Sequence, residues 1–243
     1  MVKSFLLVGG SSDIAQHLAQ SLLESRHLVT LLARDISRTQ RLGQMGAVVI
    51  QGDALDESAV QTAVDLAASR SPEGLAGSAH LVGSISLRPP HATKLEEFET
   101  IIQTNLVSAF LTLKLVGKKM LKSGTGRMVF TSSVAGSYGL TNHEAISAAK
   151  GGLEAMVRSA ASTYSQRGLR INAVAPGLTE TRLAASVLRS DALRQAAVEM
   201  IPLKRINEPE EIAQTMFWLL TEAPDNLTGQ VIHLDGGMAN IRG

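Results

Sequence analysis

Hydrophobic residues along the chain fall into two kinds of segment. Short, continuously apolar runs such as "SFLLV" and "LVTLLA" are typical of buried strands, whereas longer segments such as "DIAQHLAQSLLESR" repeat their apolar positions at helical spacing. This alternation continues as far as "QVIHLDGG" near the C-terminus. Strands without polar alternation, joined by helices, predict a parallel sheet covered on both faces. The predicted fold class is therefore α/β, with a doubly wound parallel sheet.

The chain length favours one domain. A chain of 243 residues with 44% hydrophobic residues can bury a single large core. The glycine- and proline-containing stretch "SRSPEGLAGSAH" is interpreted as a connection between a helix and the next strand rather than as a linker between domains. A helix-rich insertion at about 179–206 precedes the last helix, and we predict that it forms a lid over a substrate.

Composition excludes several classes of partner. The net charge is +1, from 23 basic and 22 acidic residues, so we expect neither nucleic acid nor an anionic membrane as a partner. The chain has no cysteine, which excludes disulfides, thiolate metal sites and a cysteine nucleophile. No metal site is predicted. We also see no run of about 18 apolar residues, so we expect a cytoplasmic protein that does not span a membrane.

The segment "GGSSDIA", residues 9–15, lies between the first predicted strand and the first predicted helix. Gly9 and Gly10 suit a sharp turn, and the free N–H groups of a following helix attract a pyrophosphate. Asp13 stands where such a loop usually has its second glycine, and we expect it to cap the helix. The alternative is a capped turn without a ligand. The predicted cofactor contacts in this loop are Gly9, Ser11, Ser12, Asp13 and Ile14.

Arg34 ends the second predicted strand, about 20 residues after the glycine loop. At this position an acidic residue would bind the 2′-hydroxyl of a ribose, whereas an arginine would bind a 2′-phosphate. Arg34 therefore favours NADP. The neighbouring Asp35 leaves NAD as the alternative cofactor.

Several longer motifs carry a resemblance to a known family. They are "INAVAPGLTETRL", "IPLKRINEPEEIA" and "TSSVAG" followed by "AAKGGLEA". With the loop after the first strand, they make the chain similar to the short-chain dehydrogenase/reductase family over nearly all of its length. The resemblance implies a single Rossmann-type domain, a nicotinamide dinucleotide and an Asn–Ser–Tyr–Lys active site. It also implies a homo-oligomer, a tetramer or a dimer.

The resemblance assigns three catalytic residues. Asn105 in "TNLVSAF" matches the family's helix asparagine, Ser133 matches the serine that binds the substrate oxygen, and Lys150 matches the lysine that holds the nicotinamide ribose. The family's tyrosine lies four residues before the lysine and thirteen after the serine, and both counts lead to Ile146. The usual acid is therefore missing. By the same resemblance, the predicted cofactor contacts outside the glycine loop are Arg34, Asp53, Ala54, Gly83, Lys150, Pro176, Gly177, Thr179 and Thr181.

Three residues near Ile146 are candidates to replace the tyrosine as the proton donor. His143 lies three residues before Ile146 and is the first candidate, because histidine titrates near neutral pH. Tyr138 and Glu144 are the other candidates, but packing of the loop is the favoured interpretation of the Tyr138 ring, and Glu144 could act as an acid only in a buried loop. Ser133 and Lys150 alone would form a weakened site.

Three functions fit these residues. The first is an NADP-preferring oxidoreductase that interconverts a carbonyl and an alcohol in a small-molecule substrate. The second is a non-catalytic NADP(H)-binding protein, and the third is a lyase or isomerase on the same scaffold. Leu87, Leu140 and Leu183 lie in the predicted substrate loops and indicate an apolar substrate.

Overall fold

The structure is a computed structural model and describes residues 1–241. Its strands are β1 (Ser4–Val8), β2 (Leu28–Ala33), β3 (Val48–Gln51), β4 (Leu75–His80), β5 (Gly126–Thr131), β6 (Leu169–Pro176) and β7 (Val231–Leu234). They form one sheet in the order β3-β2-β1-β4-β5-β6-β7, and every neighbouring pair is parallel. The predicted parallel sheet is confirmed.

Helices cover both faces of this sheet. They are α1 (Asp13–Glu24), α2 (Gln40–Gln44), α3 (Glu57–Ser69), α4 (Leu95–Ile102), α5 (Ser108–Ser123), α6 (Glu144–Tyr164), α7 (Asp191–Glu199) and α8 (Pro209–Thr221). One buried cluster joins the sheet to α3, α5 and α6, and a second joins it to α1, α2 and α8. Two apolar layers on one sheet make the fold doubly wound, as predicted, and it forms a single domain.

The order of the strands reverses between β1 and β4. The chain runs outward from β1 to β3, then returns to place β4 on the other side of β1. In an open parallel sheet, this reversal leaves a crevice beyond the carboxyl ends of the two central strands. The loops that follow β1 and β4 therefore face each other.

Strand β4 and helix α2 differ from the sequence prediction. Strand β4 begins at Leu75, inside the stretch interpreted as a connection. Most residues of this strand are small and so lack the apolar pattern typical of a strand. Gly77 is required there because a Cβ would lie 2.7 Å from the Phe5 ring. The short helix α2 was not predicted, since it buries only Leu42 and so has no periodic pattern.

The predicted long helix before β5 is interrupted. Helices α4 and α5 are joined by a π-helical turn at Gln103–Val107. By length and composition, the stretch Leu95–Ser123 could cross a membrane, which the sequence analysis missed. Half of its most apolar window is buried inside the protein, as in a helix that packs against a sheet.

The insertion before α8 consists of short helical pieces. A 3₁₀ turn at Arg182–Ala184 is followed by α7, which has no buried residue. An isolated parallel bridge between Thr179 and Asn207 joins the two ends of the insertion. The segment is therefore anchored at its base.

Candidate active site

The loops at the carboxyl ends of the strands surround a cavity of about 560 Å³. All the catalytic and cofactor-binding residues predicted from the sequence line this cavity. They are Gly9, Ser11, Ser12, Asp13, Ile14, Arg34, Asp53, Ala54, Gly83, Asn105, Ser133, His143, Lys150, Pro176, Gly177, Thr179 and Thr181. The fold thus brings residues from almost the whole chain to one site, while their individual roles remain predictions.

The loop after β1 turns sharply at Gly9. This residue has φ +89°, and a Cβ here would lie 2.8 Å from the carbonyl carbon of Leu81. The N–H groups of Gly9 and Gly10 both donate to the carbonyl of Leu32, at 2.9 and 2.9 Å. Only glycine fits this conformation at such close approach, so the loop is held against β2 and β4.

The cap of α1 differs from the prediction. Ser12 is the N-cap, and its side-chain oxygen accepts a hydrogen bond from the N–H of Ala15 at 3.2 Å. The expectation that Asp13 caps the helix was wrong. A hydroxyl in the N-cap position already satisfies a free N–H group, which leaves the carboxylate of Asp13 in the first turn free to bind elsewhere.

Asp13 binds two arginines. Arg38 Nη2 donates to Oδ1 at 2.8 Å, and Arg182 donates its backbone N–H to Oδ2 at 2.9 Å and its Nε to Oδ1 at 3.3 Å. Both guanidinium groups also donate to the carbonyl of Ser11, each at 2.9 Å. Two positive charges therefore surround one negative charge, and the loop keeps a net attraction for an anion. Sequence reasoning missed both arginines.

Arg34 and Asp53 lie side by side where the adenosine end of a dinucleotide is expected. Arg34 Nη1 is 3.7 Å from Asp53 Oδ2, and the Arg34 side chain is 73% exposed. Asp35 instead accepts hydrogen bonds from the hydroxyl and N–H of Ser37, which lower the pKa of Asp35. Its carboxylate is thus engaged within its own loop.

Asn105 lies in the π-helical turn and is fully buried. Its Nδ2 donates to the carbonyl of Ile101 at 3.0 Å and to Ser84 Oγ at 2.9 Å, while its Oδ1 accepts from the N–H of Ser84 at 3.1 Å. A Cβ on Gly83 would lie 3.2 Å from Asn105 Oδ1 and 3.8 Å from Lys150 Nζ. Asn105 therefore fixes the loop after β4 beside Lys150.

Ser133 and Lys150 approach the cavity from adjacent elements. Ser133 follows β5, and its Oγ accepts from the N–H of Ala135 at 3.2 Å. Lys150 on α6 is buried, and its Nζ donates to the carbonyl of Thr131 at 2.7 Å. Burial lowers the pKa of Lys150 to about 8, against the opposing effect of the Glu154 carboxylate. An ammonium group that titrates so close to neutral pH is suited to proton transfer.

Ile146 lies one helical turn before Lys150 and lines the same cavity. It is 4% exposed and packs in a cluster with Ile101, Ala135 and Ala149. The sequence argument required Ile146 to line the cavity that contains Ser133 and Lys150, and it does. The side chain can neither donate nor accept a hydrogen bond at this position.

His143 is at the start of α6, and its Nδ1 is 2.8 Å from the carbonyl of Thr141. That oxygen can only accept, so Nδ1 carries the proton in the neutral ring and Nε2 has none to give. His143 can therefore act as an acid only as the imidazolium ion. Tyr138 and Glu144, the other two candidates, are exposed and lie outside the cavity lining.

His80 is a buried histidine that stabilises the elements around the site. Sequence reasoning did not identify this structural role. His80 Nδ1 is 2.9 Å from Thr112 Oγ1, and its Nε2 is 3.1 Å from Ser108 Oγ. Burial, with a smaller effect from the charge of Lys150, lowers the pKa of His80 to about 3. The neutral ring thus joins the end of β4 to α5 next to the π-helical turn. No local pattern distinguishes such a histidine from a surface one.

A doubly wound parallel sheet, a glycine turn at a helix N-terminus and a cavity at the strand reversal define a dinucleotide-binding protein of the Rossmann type. A family model described as Enoyl-(Acyl carrier protein) reductase matches residues 9–239. The chain is 31% identical over 241 residues to the 3-oxoacyl-(acyl-carrier-protein) reductase MabA of Mycobacterium tuberculosis, covering 97% of this chain and 92% of that protein.

Two further comparisons agree. The chain is 33% identical over 245 residues to carbonyl reductase family member 4 of Danio rerio, covering 98% of each protein. A short-chain type dehydrogenase/reductase from Mycobacterium ulcerans has a similar structure, with a TM-score of 0.92 and 27% identity over 99% of this chain and 91% of that one. The chain belongs to the short-chain dehydrogenase/reductase family.

Members of this family bind NAD(P), and the residues present fit such a cofactor. The loop after β1 carries a net positive charge next to the cavity, from Arg38 and Arg182 around Asp13. At the other end, Gly83 leaves space beside Lys150 Nζ that a side chain would fill. The cavity is therefore continuous from an anion-attracting loop to a buried ammonium group.

Proposed function

We propose that this protein is an NADP-preferring oxidoreductase that interconverts a carbonyl and an alcohol in a site without the usual tyrosine. The observation that carries the proposal is that Ser133, Lys150 and the loop after β1 line one cavity. Ile146 supports the second part, because it lies four residues before Lys150, thirteen after Ser133, and in the lining of that cavity.

The chain would hold the cofactor along the cavity. The N–H groups at the start of α1 would bind the pyrophosphate, with Arg182 beside them in the cavity lining, and Thr179 and Thr181 would contact the nicotinamide end. When bound, NADPH supplies the hydride. Reduction of a carbonyl consumes that hydride and one proton, so the protein must stabilise a developing oxyanion and deliver the proton.

Ser133 provides the oxyanion contact in this proposal. Its Oγ already accepts a hydrogen bond from the N–H of Ala135, so its own proton can point at the substrate oxygen. Lys150 donates one proton to the carbonyl of Thr131 and keeps two others. With a pKa of about 8, it is mostly charged at pH 7 and can supply a proton through water near Asn105. His143, as the imidazolium, is the alternative donor.

The preference for NADP rests on Arg34. Its exposed guanidinium lies at the end of β2, where a 2′-phosphate is expected, and it is only loosely paired with Asp53 at 3.7 Å. Asp35 is held by Ser37 through Oδ1 and lies outside the cavity lining, so it is poorly placed to bind a 2′-hydroxyl. A planar guanidinium binds phosphate oxygens well, so the balance favours NADP.

We also propose an apolar carbonyl substrate. The cavity wall is largely hydrophobic, and its apolar lining includes Ile85, Leu87, Leu140, Ile146, Leu183, Val187 and Met200. Such a wall favours a hydrophobic ketone or aldehyde over a sugar. A homo-oligomer of two or four chains, expected from the family, belongs to the same proposal and can be measured by light scattering.

The test combines NADPH and NADH titrations with turnover of a panel of hydrophobic ketones and aldehydes. We expect tight NADPH binding and slow turnover that Lys150→Met abolishes. Lys118→Met is the matched control, because Lys118 is exposed on α5. Absence of binding to either cofactor would reject the proposal.

The second candidate is a non-catalytic NADP(H)-binding protein, which is favoured by the apolar Ile146. It predicts that NADPH binds with the same affinity but that no member of the panel is reduced. The same experiment therefore separates the two candidates.

A further inference from the structure

A buried carboxylate lies behind the candidate active site. Glu154 is one helical turn after Lys150 on α6 and is 4% exposed, yet it is outside the cavity lining. Burying a carboxylate is costly unless hydrogen bonds or an opposite charge compensate for the loss of water. The proposed reaction does not use this group, so its position requires another explanation.

Two serines bind this carboxylate from either side of Ser133. Ser132 Oγ donates to Glu154 Oε1 at 2.7 Å, and Ser137 Oγ donates to Oε2 at 2.8 Å. Between them, a Cβ on Gly136 would lie 2.6 Å from Oε1, so the glycine leaves room for the carboxylate. Glu154 thus holds both ends of the turn that contains Ser133.

The charge of Glu154 acts on Lys150. Residues four apart on a helix are neighbours, and the negative charge of Glu154 raises the pKa of Lys150 against the lowering caused by burial. His80, at the end of β4, also interacts with the charge of Lys150, and His143, at the start of α6, lines the same cavity. His80 is neutral, so it cannot replace the compensating charge.

We propose that Glu154 is a positioning residue of this site, which holds the turn carrying Ser133 with one pair of hydrogen bonds and places a compensating negative charge one helical turn from Lys150. This inference rests on the proposed function. It assigns to Glu154 two separable effects, one on geometry and one on the charge of Lys150.

Two variants separate these effects. Glu154→Gln keeps the length of the side chain and removes its charge. The amide accepts from one serine and donates to the other, whose hydroxyl can turn to accept. The alkaline limb of the kcat profile should therefore move to lower pH by roughly one unit. Ser137→Ala removes one hydrogen bond and keeps the charge, so kcat should fall severalfold with the limb unmoved. Thermal unfolding of both variants checks that they fold.

A measurement without turnover distinguishes failure of this inference from failure of the proposed function. The pKa of Lys150 is followed by NMR of protein labelled with ¹³C at the lysine Cε, with Lys150→Met used to assign the signal. A lower pKa in Glu154→Gln than in wild type supports the role of the charge, even if no carbonyl is reduced. An unchanged pKa, or an unmoved limb in an active preparation, would overturn it.

Discussion

Placing a hydroxyl at position 146 should accelerate carbonyl reduction. In Ile146→Tyr, the ring would extend from α6 into the cavity, one helical turn from Lys150 and in the same lining as Ser133. The matched variant Ile146→Phe adds the same ring without the hydroxyl. The difference between the two variants therefore isolates the proton donor from the change in shape.

The expected magnitude follows from general acid catalysis. A positioned acid contributes roughly 10²–10⁴-fold to the rate, which corresponds to about 2.7–5.4 kcal/mol of the barrier. A larger side chain in the cluster of Ile101, Ala135 and Ala149 costs about 1–3 kcal/mol of folding stability. Because one side of Ile146 faces the cavity, the ring can be accommodated there. The decrease in the activation free energy should therefore be larger than the decrease in the free energy of unfolding.

The assay compares kcat/KM of the wild type, Ile146→Tyr and Ile146→Phe with the same carbonyl and saturating NADPH, together with thermal unfolding of each protein. We expect the tyrosine variant to be at least about 100-fold faster than the phenylalanine variant. Equal rates in two folded variants would refute the reasoning, since they would show that position 146 does not face the reacting oxygen.

Three further results are expected. Arg34→Ala should weaken NADPH binding about tenfold or more and leave NADH binding unchanged, as measured by fluorescence titration, because only NADPH carries the 2′-phosphate. Asp13→Gly should strengthen binding of both cofactors roughly fivefold in the same titration, because a negative charge next to the pyrophosphate is removed and Arg182 is released. In the unfolded chain, His80 takes up a proton below its ordinary pKa of 6.5. In the folded chain, where the pKa is lowered, it does so only near pH 3. Stability should therefore fall as pH falls through this window, by about 1.4 kcal/mol per pH unit from this group, and urea unfolding of His80→Gln should show a slope shallower by that amount.

The hydrophobic pattern was enough to predict the sheet and most helices, because buried strands and amphipathic helices impose their periods on the residues that face the core. It missed the beginning of β4, where position 77 must be glycine to pack against the Phe5 ring and the segment lacks the bulky residues by which strands are recognised. The hydrophobic pattern also did not predict the π-helical turn around Asn105, since such a turn changes the hydrogen bonding without changing which positions are apolar.

The candidate site could be predicted where a residue lies in a local motif. Ser133 and Lys150 were found because they belong to short, recognisable segments. Arg38 and Arg182 were not found, because what defines them is a shared contact with Asp13 from positions far apart in the chain. Glu154 was missed for a similar reason, since its partners Ser132 and Ser137 precede it by more than a dozen residues.

The contacts of Asp13 also bear on how the protein forms during synthesis. Arg182 reaches Asp13 across 169 residues of sequence, so β1 to β6 leave the ribosome before this arginine does. Until Arg182 has been synthesised, only Arg38 can pair with Asp13, so the loop has one positive charge fewer. A nascent chain that ends before residue 182 should consequently bind a dinucleotide less tightly than the finished protein. Full affinity for the ligand is therefore expected only after the late segment docks onto the earliest loop.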